Sequence, residues 1–258
     1  MKNAYNTSAY GSFAYVYDIF MDNVNYREWT EYIVETLAQD EIKDGLVLEL
    51  GCGTGTVTEM LAEAMEKRVE SGHNILYLLQ DMQDFELYGT VRAVISVCDS
   101  MNYLTDEEDL EYVFALVNNY LDPGGLFVFD MNTIHKYRDV IGDTTIAEDR
   151  EDGSFIWENS YDQEKNLNVY ELALFLPRED GLYEKCEEEH VQRAYSIETI
   201  KRMIEKAGME LVAVYDAYTR NPGDENCERL TFIAREHGKS AENEYHGRIP
   251  ERAGHTEE

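Results

Sequence analysis

Basic residues are scarce in this chain: 22 lysines and arginines stand against 53 aspartates and glutamates, a formal charge of −31. A field of that sign repels the phosphates of nucleic acids and of anionic membranes, so neither is an expected partner. The imbalance speaks to solubility, and mildly to cationic ligands, more than to fold. Cysteine is sparse too. Cys52, Cys98, Cys186 and Cys227 form no C-x-x-C pair, which argues against a disulfide framework and points to reduced, structural thiols in a cytoplasmic protein. No apolar run approaches the ~20 residues that span a bilayer. The opening "MKNAYNTSAYGSFAYVYDIF" is broken by tyrosines and polar residues where a secretion signal needs an apolar core. No His/Cys/Asp spacing marks a metal site, and no segment repeats.

What is present is an alternation of short apolar runs with helical patterns. Residues 1–45 carry Phe13, Tyr17, Phe20, Trp29, Tyr32, Ile33 and Leu37 at helical spacings, predicting one or two helices. "LVLEL" (46–50), "ILYLL" (75–79), "VRAVISVC" (91–98) and "LFVFDM" (126–131) read as buried strands. Helices are predicted at 56–70 and at 106–121, the second from Leu110, Val113, Phe114, Val117 and Leu121. Near-continuous apolar strands interleaved with helices predict an α/β fold with a doubly wound, mostly parallel, Rossmann-like sheet. After about residue 145 the pattern alternates, and "GSFIWENSYD", "NLNVYELALFLP" and "GLYEKCEEEHVQRAY" predict an antiparallel β-insertion at about 146–195. A helix at 196–207, opened by Ser196 and closed by Gly208, and a final antiparallel pair complete a domain over 1–237. The polar stretch 238–258 predicts a disordered tail.

"LELGCGTG" (48–55) joins a strand to a helix through Gly51, Gly53 and Gly55. Glycine there permits positive φ and lets a ligand approach bare backbone, while the helix start offers unpaired N–H groups. The lack of G-K-[ST] excludes a P-loop. This motif, with "LLQDM", "VCDSMNYL" (97–104), "LDPGGLFVFD" (121–130) and the closing strand pair, resembles the class I S-adenosylmethionine-dependent methyltransferases over roughly residues 10–235. Within that family it looks like the small-molecule branch, with a β-insertion after the fifth strand and an N-terminal helical lid. The resemblance implies S-adenosylmethionine as cofactor, a small-molecule acceptor, and a monomer or homodimer. It further implies that Glu49 and the backbone of Gly51, Cys52 and Gly53 hold the methionine part, with Gly55 in the same turn. Asp81 would face the adenine amino group, Met82 would pack on the ring, and Asp99 and Ser100 would line the floor. Tyr10, Tyr15 and Tyr17 would close the lid, their faces toward a sulfonium.

One interval departs from the family. A second strand, ending in an acid that binds the ribose, normally precedes "LLQDM". Here only residues 51–74 separate Leu50 from Ile75, whereas a turn, a helix, a strand and another helix need about 35. Three readings stay open: the strand is missing and "ILYLL" pairs beside the first strand with Asp81 in the ribose position; a segment has been lost from a longer natural protein; or the shortened chain is a weakened or non-catalytic relative.

Methyl transfer from a sulfonium mainly needs alignment of donor and acceptor and exclusion of water. An oxygen acceptor wants a base, for which His135 and His190 are candidates beside Tyr17. Arg193 and Tyr195 either reach an acceptor or tie the insertion to the sheet. A nicotinamide-dependent oxidoreductase is the remaining alternative, disfavoured by Thr56 where that fold's third glycine falls.

Overall fold

The structure is a computed structural model that describes residues 24–66 and 75–239. Tyr10, Tyr15, Tyr17 and the predicted lid before residue 24 lie outside the described residues, as does most of the polar tail. The first described helix, α1 (Tyr26–Gln39), is capped by Asn25, whose side chain accepts from the Glu28 N–H at 3.3 Å. It buries Tyr32, Ile33 and Leu37 on one side, the stripe the aromatic spacing predicts. Strand β1 (Val47–Glu49) follows, then α2 (Thr56–Glu66), β2 (Val91–Ser96), α3 (Glu107–Tyr120) and β3 (Leu121–Asn132). Asp106 caps α3, and three acids in its first turn complement the positive end of the helix. Four strands β4–β7 come next, then α4 (Ile197–Lys206), β8 (Met209–Asp216) and β9 (Arg229–Glu236). Ser196 caps α4 by accepting from Thr199 N–H at 3.1 Å, and Gly208 ends it at φ +87°.

The main sheet has the order β1-β2-β3-β9-β8. Val47 pairs with Ala93 and Ala93 with Leu126 in parallel register, while β9 and β8 run antiparallel. Alternate residues of β2 and β3 face opposite sides. Val94, Phe127 and Phe129 meet Phe114 of α3 and Ile200 and Met203 of α4. Ala93, Ile95 and Val128 meet Ile33 and Leu37 of α1 and Val57 and Leu61 of α2. Helices therefore cover both faces, and Phe127, Phe129 and Phe232 form a stacked row at 4.5 and 5.1 Å between centroids. This is the doubly wound α/β arrangement that the alternation predicts.

"ILYLL" is the main correction. Residues 75–79 form no strand, and Leu76, Tyr77, Leu78 and Leu79 are exposed. Among the described residues the neighbour of β1 is β2, and β1 stands at the edge of the described sheet. Five consecutive apolar residues match a buried strand by composition, yet burial needs covering layers on both faces. A polar substitution at Leu79, which is fully exposed, is expected to move stability by no more than about 0.5 kcal/mol. Thermal melting of Leu79→Asn should then shift by under about 2 °C; a drop several times larger would restore the buried-strand reading.

The second sheet is the meander β4 (Thr145–Arg150), β5 (Gly153–Asp162), β6 (Leu167–Pro177) and β7 (Tyr183–Arg193). Its last three strands coincide with the alternating segments in the sequence. "TIAEDR" carries only two apolar residues and is mostly exposed, so β4 leaves no periodic signal. Asn102, buried in the short turn Ser100–Tyr103 after β2, ties the sheets together. Its amide donates to the carbonyls of Asn132 and Arg193 at 3.1 and 2.9 Å, and Asn132 N–H donates back at 2.9 Å.

Candidate active site

A cavity of about 470 Å³ opens at the carboxyl ends of β1 and β2, where parallel sheets present their ligand crevice, and its size suits a small ligand. Its near wall is the glycine turn. The turn is closed by the Gly55 N–H donating to Cys52 carbonyl at 2.8 Å, and Gly51, Gly53 and Gly55 all hold positive φ. A Cβ on Gly51 would lie 2.6 Å from Ser100 Oγ, so the glycine turn and the turn after β2 touch only because Gly51 has no side chain. Gly53 is different: a Cβ there would meet nothing within 4 Å. Bare backbone at Gly53 thus borders open space in the cavity wall.

Glu49, at the end of β1, is the single carboxylate among the described lining residues. Its side chain accepts from the Thr58 hydroxyl, and burial pushes its carboxyl above the usual glutamate range. A half-buried carboxylate facing a cavity suits a cation. Cys52 also lines the space, and burial, helped by Glu49, pushes its thiol up, away from a nucleophilic thiolate. Met82, Val57, Val97, Tyr26 and Tyr103 supply apolar and aromatic surface.

The floor turn is strained. Cys98 and Asp99 take φ of +57° and +51°, a left-handed pair without glycine. What holds it is a polar cluster. Asp99 N–H donates to Asp130 Oδ1 at 2.7 Å, Arg229 reaches Asp99 at 2.6 Å and Asp130 at 2.8 Å, and Gln192 of β7 donates to Asp99 Oδ2 at 2.6 Å. Tyr218 donates to the same Asp130. Burial works against the Arg229 charge, but Asp130 and Asp99 outweigh it and keep the guanidinium charged. Trp29 lies over Arg229 at 5.5 Å and stacks on Tyr218 at 4.3 Å, so α1 roofs the cluster.

The structure therefore brings Glu49, Gly51, Cys52, Gly53, Met82 and Ser100 to one cavity. It does not bring Asp99 there, because that carboxylate is spent on Arg229 and Gln192. Asp81 is exposed and accepts from Gln83 N–H at 2.9 Å, a local turn outside the lining. Without a strand at 75–79, nothing delivers it to the ribose position. Gly55 stays in the turn but faces Tyr77, whose Oη would lie 2.7 Å from a Cβ. Residues 77–82 thus run along the glycine turn as a wall rather than into the sheet. His135 pairs with Asp139 at 2.9 Å on the following single π-turn and does not line the cavity. His190 does not line it either, but lies 3.0 Å from the Tyr103 hydroxyl, which does. Arg193 bonds Glu107 and the Thr105 carbonyl, and Tyr195 donates to the Leu104 carbonyl at 2.5 Å, so both tie the insertion to the sheet. Sequence reasoning missed Tyr26, Thr54, Thr56 and Tyr103 as lining residues. Tyr103 sits within "VCDSMNYL" and could have been found from that motif; Tyr26 is indistinguishable from a packing tyrosine in sequence.

No family model matches the chain. It is 31% identical to the protein named "Putative methyltransferase YqeM" of Bacillus subtilis (strain 168) over 242 residues, covering 87% of this chain and 96% of the relative. A solved S-adenosylmethionine-dependent methyltransferase from Clostridium acetobutylicum ATCC 824 superposes with a TM-score of 0.76 at 26% identity, over 90% of this chain and all of that one. The sugar N-methyltransferase KedS8 from Streptoalloteichus sp ATCC 53650 shares the fold at a TM-score of 0.67 and 18% identity, over 92% and 99%. A glycine turn on bare backbone, a half-buried acid at the end of β1 and this likeness over nearly the full length agree: the chain belongs to the S-adenosylmethionine-dependent methyltransferases.

Proposed function

We propose that the cavity between the glycine turn and the Ser100–Tyr103 turn binds S-adenosylmethionine, and that the chain methylates a small-molecule acceptor there. The observation that carries this is the half-buried Glu49 carboxylate in the cavity wall beside exposed main chain at Gly53. Glu49 takes the ammonium of the methionine part, the Gly51–Gly53 backbone takes its length, and Met82 packs on the adenine. When bound, S-adenosylmethionine supplies a methyl group activated by a sulfonium. The chain's own part is alignment and dryness: Val57, Val97 and Met82 exclude water, and Tyr26 and Tyr103 offer aromatic faces to a cation. Among the described residues, Glu49 is the lone carboxylate in the lining. The acidic surface, with its −31 formal charge, supports a small molecule over a nucleic acid or membrane as acceptor.

Calorimetric titration tests the reading. Heat is expected with S-adenosylmethionine and S-adenosylhomocysteine and none with NAD; heat with NAD alone would replace a methyltransferase with an oxidoreductase. Glu49→Gln adds a second outcome. Losing the charged contact should weaken S-adenosylhomocysteine about 10- to 100-fold. The free protein should nevertheless melt higher at neutral pH. A carboxyl whose folded pKa is raised binds its proton more tightly when folded, so stability falls as pH rises through that pKa, and glutamine removes the penalty. By the same sign, cofactor affinity should fall as pH drops through the raised Glu49 pKa.

A further inference from the structure

We infer that Tyr103, His190 and Glu188 form a proton relay leading from the methyl-transfer point into the β-insertion, and that the acceptor therefore arrives carrying a proton on its nucleophilic atom, as a hydroxyl or an ammonium. This rests on the methyl-transfer reading above.

Tyr103 ends the short turn after β2 and lines the cavity. Its Oη lies 3.0 Å from His190 Nδ1. On the far side of the ring, Nε2 lies 3.3 Å from the Glu188 carboxylate. The histidine and glutamate side chains are 5% and 2% exposed, so both are closed from water. The relay assigns the proton to Nε2, the side on which the Glu188 carboxylate stands, and the Nδ1 lone pair to the tyrosine hydroxyl. The order carboxylate, imidazole, hydroxyl matches the logic by which a buried acid orients a histidine that takes a proton from a hydroxyl. Burial holds His190 below the ordinary histidine range, against Glu188 and Asp99, the charged groups facing it from β7 and from the end of β2; Tyr170 of β6 lies opposite in register. It is therefore neutral at pH 7 and ready to accept.

The balance is simple. A hydroxyl oxygen already carries a lone pair, whereas an ammonium first gives up a proton along the relay and so frees one; that lone pair forms the new bond to the methyl carbon, and the electrons of the broken carbon–sulfur bond remain on sulfur. The acceptor's proton passes to Tyr103 Oη as the tyrosine's own proton passes to His190 Nδ1. The imidazolium so formed faces Glu188, an ion pair that is neutral overall. An amine arriving unprotonated would need none of this, and an apolar wall would serve it better than a buried Glu–His pair.

The test needs no acceptor. Protein labelled with ¹⁵N-histidine is examined by NMR with S-adenosylhomocysteine bound, and the His190 signal is assigned by its loss in His190→Gln. Expected are a neutral Nε2–H tautomer at pH 7, a titration midpoint that falls further in Glu188→Gln, and an Nδ1 resonance that moves in Tyr103→Phe. Replacing the ligand by sinefungin, which carries an amine-bearing carbon in place of the methylated sulfur, should move Nδ1 in the wild type and not in Tyr103→Phe. An Nδ1–H tautomer in the wild type alone overturns the relay, whatever the variants do. So does an Nδ1 resonance indifferent to Tyr103. If neither ligand gives heat of binding while the tautomer is as expected, the cofactor reading fails instead, and the relay's role with it.

Discussion

Arg229→Met is expected to lower stability by about 3–5 kcal/mol, the cost of leaving buried carboxylates without their cation. Asp130 is 1% exposed and Asp99 20%, and Arg229 reaches both. Methionine fills a similar volume but leaves two acids facing each other beneath Trp29 and Tyr218. For a chain of this size the loss corresponds to a fall in melting temperature of about 6–20 °C. Adding Asp99→Asn and Asp130→Asn to Arg229→Met should recover part of it, since no buried charge then lacks a partner. A single variant that melts within 2 °C of wild type would mean that the cluster does not hold the left-handed Cys98–Asp99 turn. The site depends on that turn, because it sets Ser100 against Gly51 and Tyr103 against the cavity.

Gly53→Val should abolish cofactor binding, by more than about 100-fold, while the fold survives. The residue holds φ +52° with open space beyond it. Valine in that conformation costs about 1–2 kcal/mol of backbone strain, a few degrees of melting temperature. Its methyl groups would occupy the space in which a ligand meets the main chain. Gly51→Val is a contrasting case: a Cβ there strikes Ser100, so it should damage the turn itself. Calorimetry with S-adenosylhomocysteine, alongside thermal melting, separates loss of the site from loss of the fold. Gly53→Val protein that binds as tightly as wild type would move the site elsewhere.

How much of this was legible in sequence depends on what each signal reports. The glycine turn was readable because backbone that must take positive φ leaves glycines, and Glu49 was readable by its place at the end of an apolar run. The parallel strands β2 and β3 were readable because both of their faces are covered, which makes the run apolar throughout. "ILYLL" shows the limit of that argument. Its composition is that of a strand, but its neighbours in the sheet, rather than its own residues, decide whether it is one, and β1 pairs with β2 instead. Asp81 lies on the same exposed stretch, outside the lining, so the ribose position that depended on that strand is not formed. Asp99 was placed in the right turn, but its partners Arg229 and Gln192 lie about a hundred residues away, beyond any local pattern. The Tyr103–His190 contact spans 87 residues and two sheets. Only the register of β7 beside the turn after β2 reveals it.

The central claim is that an adenosyl sulfonium lies along Gly51–Gly53 with its amino group at Glu49. A crystal structure of the protein with S-adenosylhomocysteine tests it most directly. The account predicts the methionine amino group within hydrogen-bond distance of the Glu49 carboxylate and Met82 on the adenine face. Ligand density away from the glycine turn, or Glu49 turned out of the cavity with the ligand bound, would contradict it.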